Sequence, residues 1–230
     1  MTFLISDLCG RLDLYEKLIK TIKLKETDVL YVLGNSVGKG VDSIGLLTEM
    51  SMATNVLPIL GEEDYKAYHI LSGMNEYLAK KEKPEPEFMT EMAEWVTDGG
   101  QNTLDAFRSL EPDMQEGILD YLAEMSLYEE INVNGAEYLL VHKGVVDYSP
   151  DLELDVCGPD DFMGDPFDLT MENDPNRVIV TGYTRVGSIE GADPEKIFYG
   201  KNMIGLNCDV ENGGPLACLC LETGKEYYVR

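Results

Sequence analysis

Short apolar runs alternate with amphipathic segments over the first third of the chain. The runs have the length of strands, whereas Leu14, Leu18 and Ile22 recur at helical spacing. The predicted elements are strands over residues 2–6, 29–33 and 56–60, helices over residues 11–22 and 43–53, and a further helix after Gly61. Strands and helices in alternation favour an α/β fold.

A glycine-containing turn follows each of the three predicted strands. The turns span residues 7–10, 34–40 and 61–64. Ligands in open α/β sheets bind at the carboxyl ends of the strands. We therefore expect the three turns to line one crevice.

Residues 86–126 carry apolar stripes at helical spacing on an acidic background. The stripes predict two or three short helices that pack on the rest of the protein or on each other. Breaks are expected at Gly99-Gly100 and near Pro112, because glycine and proline interrupt helices.

The C-terminal half contains a hairpin signal, a long loop and several short apolar runs. Asn134-Gly135 between two alternating runs predicts a tight hairpin. Residues 144–176 lack periodicity and predict a long, acidic loop. The short runs after residue 177 are typical of antiparallel strands.

Net charge narrows the classes of partner. The 230 residues include 43 acidic and 18 basic side chains, and the formal net charge is −25. Nucleic acid and anionic membranes are disfavoured, because both are bound through Lys and Arg. The acids concentrate in two segments: residues 84–130 hold 13 against one arginine, and residues 144–176 hold 10 and no base.

Five cysteines and the apparent lack of an export signal favour the cytoplasm. An odd number of cysteines points to free thiols in a reducing compartment. The N-terminus has neither a basic region nor a long apolar stretch, so we expect no signal peptide.

The turns and the segment after the hairpin carry an ordered set of motifs. They are Asp7-Leu-Cys-Gly10, a Gly34 to Gly40 turn, Gly61-Glu-Glu-Asp64, Tyr138-Leu-Leu-Val-His-Lys-Gly144 and Val180-Thr-Gly-Tyr-Thr184. With this set, the chain resembles the calcineurin-like metallophosphoesterases, specifically their compact bacterial branch similar to serine/threonine protein phosphatases. The resemblance implies one domain over residues 1–230: a β-sandwich of mixed sheets flanked by helices, with a helical insertion at about 84–126 and an acidic loop at about 144–176.

Enzymes of this family hold two metal ions, and most of the implied ligand positions differ here. Asp7 and His142 match. The resemblance places Cys9 at a histidine ligand, Asn35 at the bridging aspartate, Glu62 at the asparagine ligand and Tyr183 at the final histidine. A neutral amide at Asn35 cannot offer two anionic oxygens to a pair of divalent cations.

The groups that would handle phosphate are replaced as well. The family histidine that protonates the leaving oxygen corresponds to Glu63, and its aspartate partner corresponds to Gly38. The phosphate-binding arginine corresponds to Lys39, which keeps the charge but loses the bidentate fork.

We therefore predict a degenerate active site and a pseudophosphatase that acts by binding a partner, without metal or other cofactor. Its crevice would present the carboxylates of Asp7, Glu62, Glu63 and Asp64, which repel a phosphate dianion when no metal is bound. The acidic segments suit a basic protein surface, although they can equally be a solvated face.

Two other interpretations remain open from the sequence. In the first, Asp7, Cys9, Glu62 and His142 hold a single divalent metal such as zinc or manganese in a repurposed phosphoesterase. In the second, Cys9 is a reactive thiol, which would require its pKa to be lowered.

Overall fold

Two five-stranded mixed sheets face each other in the computed structural model, which describes residues 1–230. The strands are β1 (Thr2–Ile5), β2 (Val29–Leu33), β3 (Val56–Ile59), β4 (Tyr128–Val133), β5 (Ala136–Val141), β6 (Val178–Thr181), β7 (Phe198–Tyr199), β8 (Met203–Gly205), β9 (Leu216–Cys220) and β10 (Lys225–Val229). The helices are α1 (Leu12–Ile22), α2 (Ser43–Ser51), α3 (Glu62–Lys80), α4 (Pro86–Trp95), α5 (Gln101–Arg108), α6 (Pro112–Ala123) and α7 (Pro159–Phe162).

Parallel strands form the centre of each sheet. The first sheet has the order β10-β9-β1-β2-β3, in which β1, β2 and β3 run parallel and β9 is antiparallel to both of its neighbours. The second has the order β4-β5-β6-β8-β7, with β5, β6 and β8 parallel. This arrangement confirms the expected α/β sandwich of mixed sheets.

Side chains of the strands alternate between two cores, as the two-residue period of a strand requires. Phe3 and Ile5 of β1 pack with Leu18 of α1 on the outer face of the first sheet. Leu4 points the other way and meets residues of the second sheet, including Val180. The crevice region is thus anchored by strands buried on both faces.

The expectation of purely antiparallel strands near the C-terminus is wrong for β6. This strand pairs in parallel with both β5 and β8. Residues 144–176 connect β5 to β6 and are long enough to return the chain to the end of the sheet at which β5 begins. The sequence pattern identified the strand, but the direction of pairing depends on that crossover.

Residues 86–123 form three helices, as their apolar stripes predict. A π-helical turn, Val96–Gly100, joins α4 to α5 and contains Gly99 at φ 118°, so the break lies where expected. Proline occupies the first turn of α4 and of α6. Trp95 and Phe107 are buried in a core shared with α2 and α3.

The loop over residues 144–176 is packed rather than extended into solvent. Val145, Phe162 and Phe167 are buried against the outer face of the second sheet. Asp174 accepts hydrogen bonds from Tyr148 Oη and Arg177 Nε, each at 2.7 Å. No helix in the structure combines the length and apolar character needed to cross a bilayer.

We predict that the helical insertion unfolds together with the sandwich. Phe107 is fully buried between the insertion and the helices of the body, so Phe107→Ala should lower the free energy of unfolding by about 3–5 kcal/mol. Denaturant unfolding followed by circular dichroism measures this loss. The control Leu78→Ala, at a residue 67% exposed, should change stability little. A separate early transition for the insertion in the Phe107 variant would contradict the single-domain prediction.

Candidate functional site

The predicted site residues converge at the carboxyl ends of parallel strands. Asp7 follows β1, Asn35 follows β2 and Glu62 follows β3, while His142 and Tyr183 follow β5 and β6. The turns enclose an open cleft of about 590 Å³, which is the crevice that the sequence predicts. Eight of the nine predicted residues line it: Asp7, Cys9, Asn35, Gly38, Lys39, Glu62, Glu63 and Tyr183.

The ninth residue, His142, is covered by Tyr183. The two rings meet edge to face with centroids 5.6 Å apart, and His142 is 2% exposed. Its Nδ1 lies 2.9 Å from the carbonyl oxygen of Leu33, so Nδ1 is the protonated nitrogen and donates this bond. Nε2 is buried and has no hydrogen-bond partner.

Several crevice residues hold a left-handed backbone. Asp7, Cys9, Asn35 and Tyr183 have φ between 45° and 52°. Residues other than glycine adopt this region of backbone conformation at a cost in free energy. Hydrogen bonds between the turns maintain this shape: Cys9 N donates to Asn35 O at 2.7 Å, and Gly40 N donates to Cys9 O at 2.7 Å. At Gly40 a Cβ would lie 2.3 Å from Cys9 O, so only glycine permits this approach.

Asn35 joins the first turn to α3. Its Nδ2 donates to Asp7 Oδ1 at 3.1 Å, and its Oδ1 accepts from the backbone N–H of Glu63 at 3.0 Å. The other oxygen of Asp7, Oδ2, accepts from the backbone N–H of Tyr183 at 3.1 Å. Burial raises the pKa of Asp7, although His142, Ser6 and these hydrogen bonds oppose the rise.

Glu62 is held by two lysines. Lys143 Nζ lies 3.2 Å from Glu62 Oε2, and Lys66 Nζ lies 3.2 Å from Oε1. Lys66 also pairs with Glu63 at 3.0 Å. Burial alone would raise the pKa of Glu62, but the two ammonium groups outweigh it and lower the pKa.

A network of ion pairs crosses the crevice. Lys39 pairs with Asp98 at 3.3 Å and with Glu211 at 3.2 Å. Arg185 pairs with Glu211 at 2.6 Å and with Asp209 at 3.0 Å. Asp98 belongs to the π-helical turn of the insertion, so these ion pairs link the insertion to the loops after β6 and β8.

The charge of the crevice differs from the sequence expectation in two respects. First, Asp64 adds no charge to the crevice surface. It lies fully buried in the first turn of α3, where its carboxylate accepts from the backbone N–H groups of Val37 and Gly61. Secondly, the lining contains the bases Lys39, Lys66 and Arg185 beside its six acids. Among the carboxylates of the two acidic segments, only that of Asp98 lines the crevice.

Sequence reasoning missed Lys66, Lys143 and Arg185. Lys66 had a usable signal, because it lies four residues after Glu62 and three after Glu63 on a predicted helix. Lys143 directly follows His142, but nothing local shows that its ammonium turns toward Glu62. The partners of Arg185 are distant in sequence and meet it only in the fold.

The residues do not fit the pair of metal ions that the family resemblance implies. No three His, Cys, Asp or Glu side chains are grouped so that they could hold a metal ion. The proposed set of Asp7, Cys9, Glu62 and His142 therefore does not form a ligand group in this structure. Glu62 is bound to two ammonium groups instead, and Asn35 directs N–H, which cannot ligate a metal, toward Asp7.

The environment of Cys9 disfavours a thiolate. Its side chain is buried, and burial together with the charges of Asp7, Glu211 and other acids raises the pKa well above the usual value. A reactive cysteine requires the opposite shift. The prediction of a nucleophilic thiol at Cys9 is not supported.

Comparison with known structures identifies the fold of this protein. Over 99% of its length the chain superposes with a TM-score of 0.66 on 92% of a candidate diadenosine tetraphosphatase, at 18% identity. It also matches a metallophosphoesterase from Sphaerobacter thermophilus with a TM-score of 0.53, at 13% identity, covering 100% of this chain and 88% of that one. The chain has the calcineurin-like metallophosphoesterase fold.

One curated relative is similar in sequence. It is the symmetrical bis(5′-nucleosyl)-tetraphosphatase of Acidovorax sp. (strain JS42), 28% identical over 146 residues. The match spans 63% of this chain but only 44% of that protein, so the chain covers less than half of the length of this relative. No protein-family model matches the chain.

We predict that Asn35→Asp destabilises the protein. The substitution replaces the N–H donor facing Asp7 with a second carboxylate, and should lower the free energy of unfolding by about 2–4 kcal/mol at neutral pH. Two adjacent carboxylates raise the pKa of one of them, so the folded state takes up a proton and the loss should shrink as the pH falls toward about 5.

Denaturant titrations at the two pH values measure the effect of this substitution. The matched control is Asn102→Asp, which adds the same charge at an exposed position in the first turn of α5. Equal stability of the two variants would show that the bond from Asn35 to Asp7 does not stabilise the crevice.

We also predict slow alkylation of Cys9. With its raised pKa and buried side chain, Cys9 should react with iodoacetamide at least about 100-fold more slowly than a free thiol near pH 8. Peptide mass spectrometry of partly labelled protein gives the rate at each cysteine. Labelling of Cys9 as fast as in the denatured chain would restore the thiol hypothesis.

Proposed function

We propose that this protein is a pseudophosphatase, which keeps the metallophosphoesterase fold for binding and does not hydrolyse phosphate esters. The observation that carries the proposal is the position of Asn35. Its amide group donates to Asp7 and accepts from the N-terminus of α3. These bonds satisfy Asp7 without a metal ion, at the place where the resemblance implies a bridging carboxylate.

The pairing of the crevice cations supports the same conclusion. Each base that lines the crevice already contacts two carboxylates: Lys39 with Asp98 and Glu211, Lys66 with Glu62 and Glu63, Arg185 with Asp209 and Glu211. A phosphate group would have to displace these partners. With six acids against three bases in the lining, the exchange is electrostatically unfavourable.

No suitable acid is in place for the leaving group. Glu63 stands where the resemblance implies a histidine, and its side chain pairs with Lys66. Glu63 is half-buried, and the ammonium group of Lys66 occupies its carboxylate at 3.0 Å. The chain therefore presents no histidine at this position to protonate a leaving oxygen.

A basic protein surface is the partner that this charge distribution favours. The crevice carries excess acid, and residues 84–130 and 144–176 add 23 acids against one base. Charge complementarity of this kind accelerates encounter and suppresses wrong partners. The five free cysteines fit a reducing cytoplasm as the location.

One observation favours the alternative of a residual metal-dependent phosphoesterase. His142 donates through Nδ1 and leaves the lone pair of Nε2 unpartnered in a buried position, which is the arrangement found in metal-bound histidines. With Asp7 this gives two donors, and single-metal catalysis requires more protein ligands than that.

The test is hydrolysis with added divalent cations. We expect no turnover of an aryl phosphate monoester, or of a bis(5′-nucleosyl) tetraphosphate as suggested by the name of the curated relative, with millimolar Mn²⁺ or Zn²⁺ present. Equilibrium dialysis should also find less than one tightly bound metal ion per chain. Turnover that depends on metal and disappears in Asp7→Ala would overturn the proposal.

A further inference from the structure

Lys143 is the most enclosed cation of the crevice region. Its side chain is only 11% exposed, compared with 46% for Lys66 and 50% for Lys39. A lysine is rarely buried to this extent unless its charge is paired. The surroundings of its ammonium group therefore show what compensates the charge.

Three groups surround Lys143 Nζ. Glu62 Oε2 and the carbonyl oxygen of Met163 each lie at 3.2 Å, and the ring of Tyr183 lies beneath it with the centroid at 4.4 Å. A carboxylate, a carbonyl oxygen and an aromatic face all stabilise a cation. Glu62 and Tyr183 stand at two of the positions where the family resemblance implies metal ligands.

We propose that the Lys143 ammonium is the resident cation of the crevice and replaces a divalent metal ion in holding Glu62 beside Tyr183. The proposal rests on the proposed function, because it assumes that the native crevice holds no metal. It assigns a role to a residue outside the implied ligand set. It also explains why the turns stay closely packed while Glu62 remains ionised.

The geometry gives the expected consequence of removing the ammonium group. Without it, Glu62 keeps only Lys66, which it shares with Glu63. The half-buried carboxylate then lacks its inner partner, and loss of one member of such a pair costs more than the pair itself contributes. The vacated space retains the oxygen donors of Glu62 and Met163, which are ligands that hard divalent cations accept.

The decisive experiment compares thermal unfolding of four proteins with and without Mn²⁺. They are the native chain, Lys143→Met, the double variant Lys143→Met with Glu62→Gln, and the control Lys225→Met. Lys225 also lies 4.4 Å from a tyrosine ring centroid, that of Tyr227, but it is exposed and outside the crevice. Methionine matches the lysine side chain as far as Cε and lacks only the charged ammonium group.

We expect Lys143→Met to lower the Tm by about 5–10 °C and Lys225→Met to change it by no more than about 1–2 °C. Mn²⁺ at a few millimolar should recover at least about half of the loss in Lys143→Met. It should not stabilise the native chain. The double variant should regain most of the stability without Mn²⁺ and should not respond to it, because the unpaired carboxylate has been removed.

Three results would overturn the proposal. They are a Lys143 variant as stable as the Lys225 control, a Lys143 variant that Mn²⁺ does not stabilise, and a native chain that Mn²⁺ stabilises as much as the variant. Metal-dependent turnover by the native chain would instead refute the proposed function. If the Lys143 prediction fails and the native chain shows no metal-dependent turnover, only this inference is refuted and the proposed function stands.

Discussion

The hydrogen bond from the Asn35 amide to the Asp7 carboxylate is the contact on which the crevice depends. Asp7 is nearly inaccessible to water, and burying an ionised carboxylate without compensation is costly. Asn35 supplies one N–H and the backbone of Tyr183 supplies another. Because Asn35 also accepts from the start of α3, the turns after β1, β2 and β3 share one network. This network sets the relative positions of the three turns.

The positive charges of the crevice are compensated within the chain. Lysines neutralise Glu62 and Glu63, and Lys39 and Arg185 share Glu211. In a metal-dependent phosphoesterase, bound cations perform this compensation and also attract the phosphate. Here each base that lines the crevice is already paired with carboxylates of the same chain, and the acids outnumber the bases. Such a crevice offers a phosphate group no unpaired positive charge.

Local patterns explain why the strands and the first helices could be predicted. Short continuous apolar runs predicted β1, β2 and β3 to within one residue, and glycine marked the break at Gly99. The position of the site also followed, because strands that run parallel bring their carboxyl ends to one edge. The family resemblance then indicated which turn residues would line the crevice.

Contacts between distant segments could not be predicted in the same way. The ion pairs of Arg185 with Glu211 and of Lys143 with Glu62 join residues 26 and 81 positions apart. Asp64 was expected in the crevice, yet its carboxylate is buried and accepts from the backbone N–H groups of Val37, in the turn after β2, and of Gly61, at the start of α3. Whether a charge faces a cleft or the interior depends on the packing of the whole fold, which no local pattern records.

Cys9 and Tyr183 retain left-handed backbones although neither side chain favours that conformation. Their conformations are imposed by the surrounding turns, through contacts such as those of Cys9 N with Asn35 O and of Gly40 N with Cys9 O. At Cys9 the shape of the turn is thus held by backbone hydrogen bonds and not by the Cys9 side chain. A turn held in this way can exchange the side chain that faces the cleft, and with it part of the chemistry of the cleft, while its backbone stays the same.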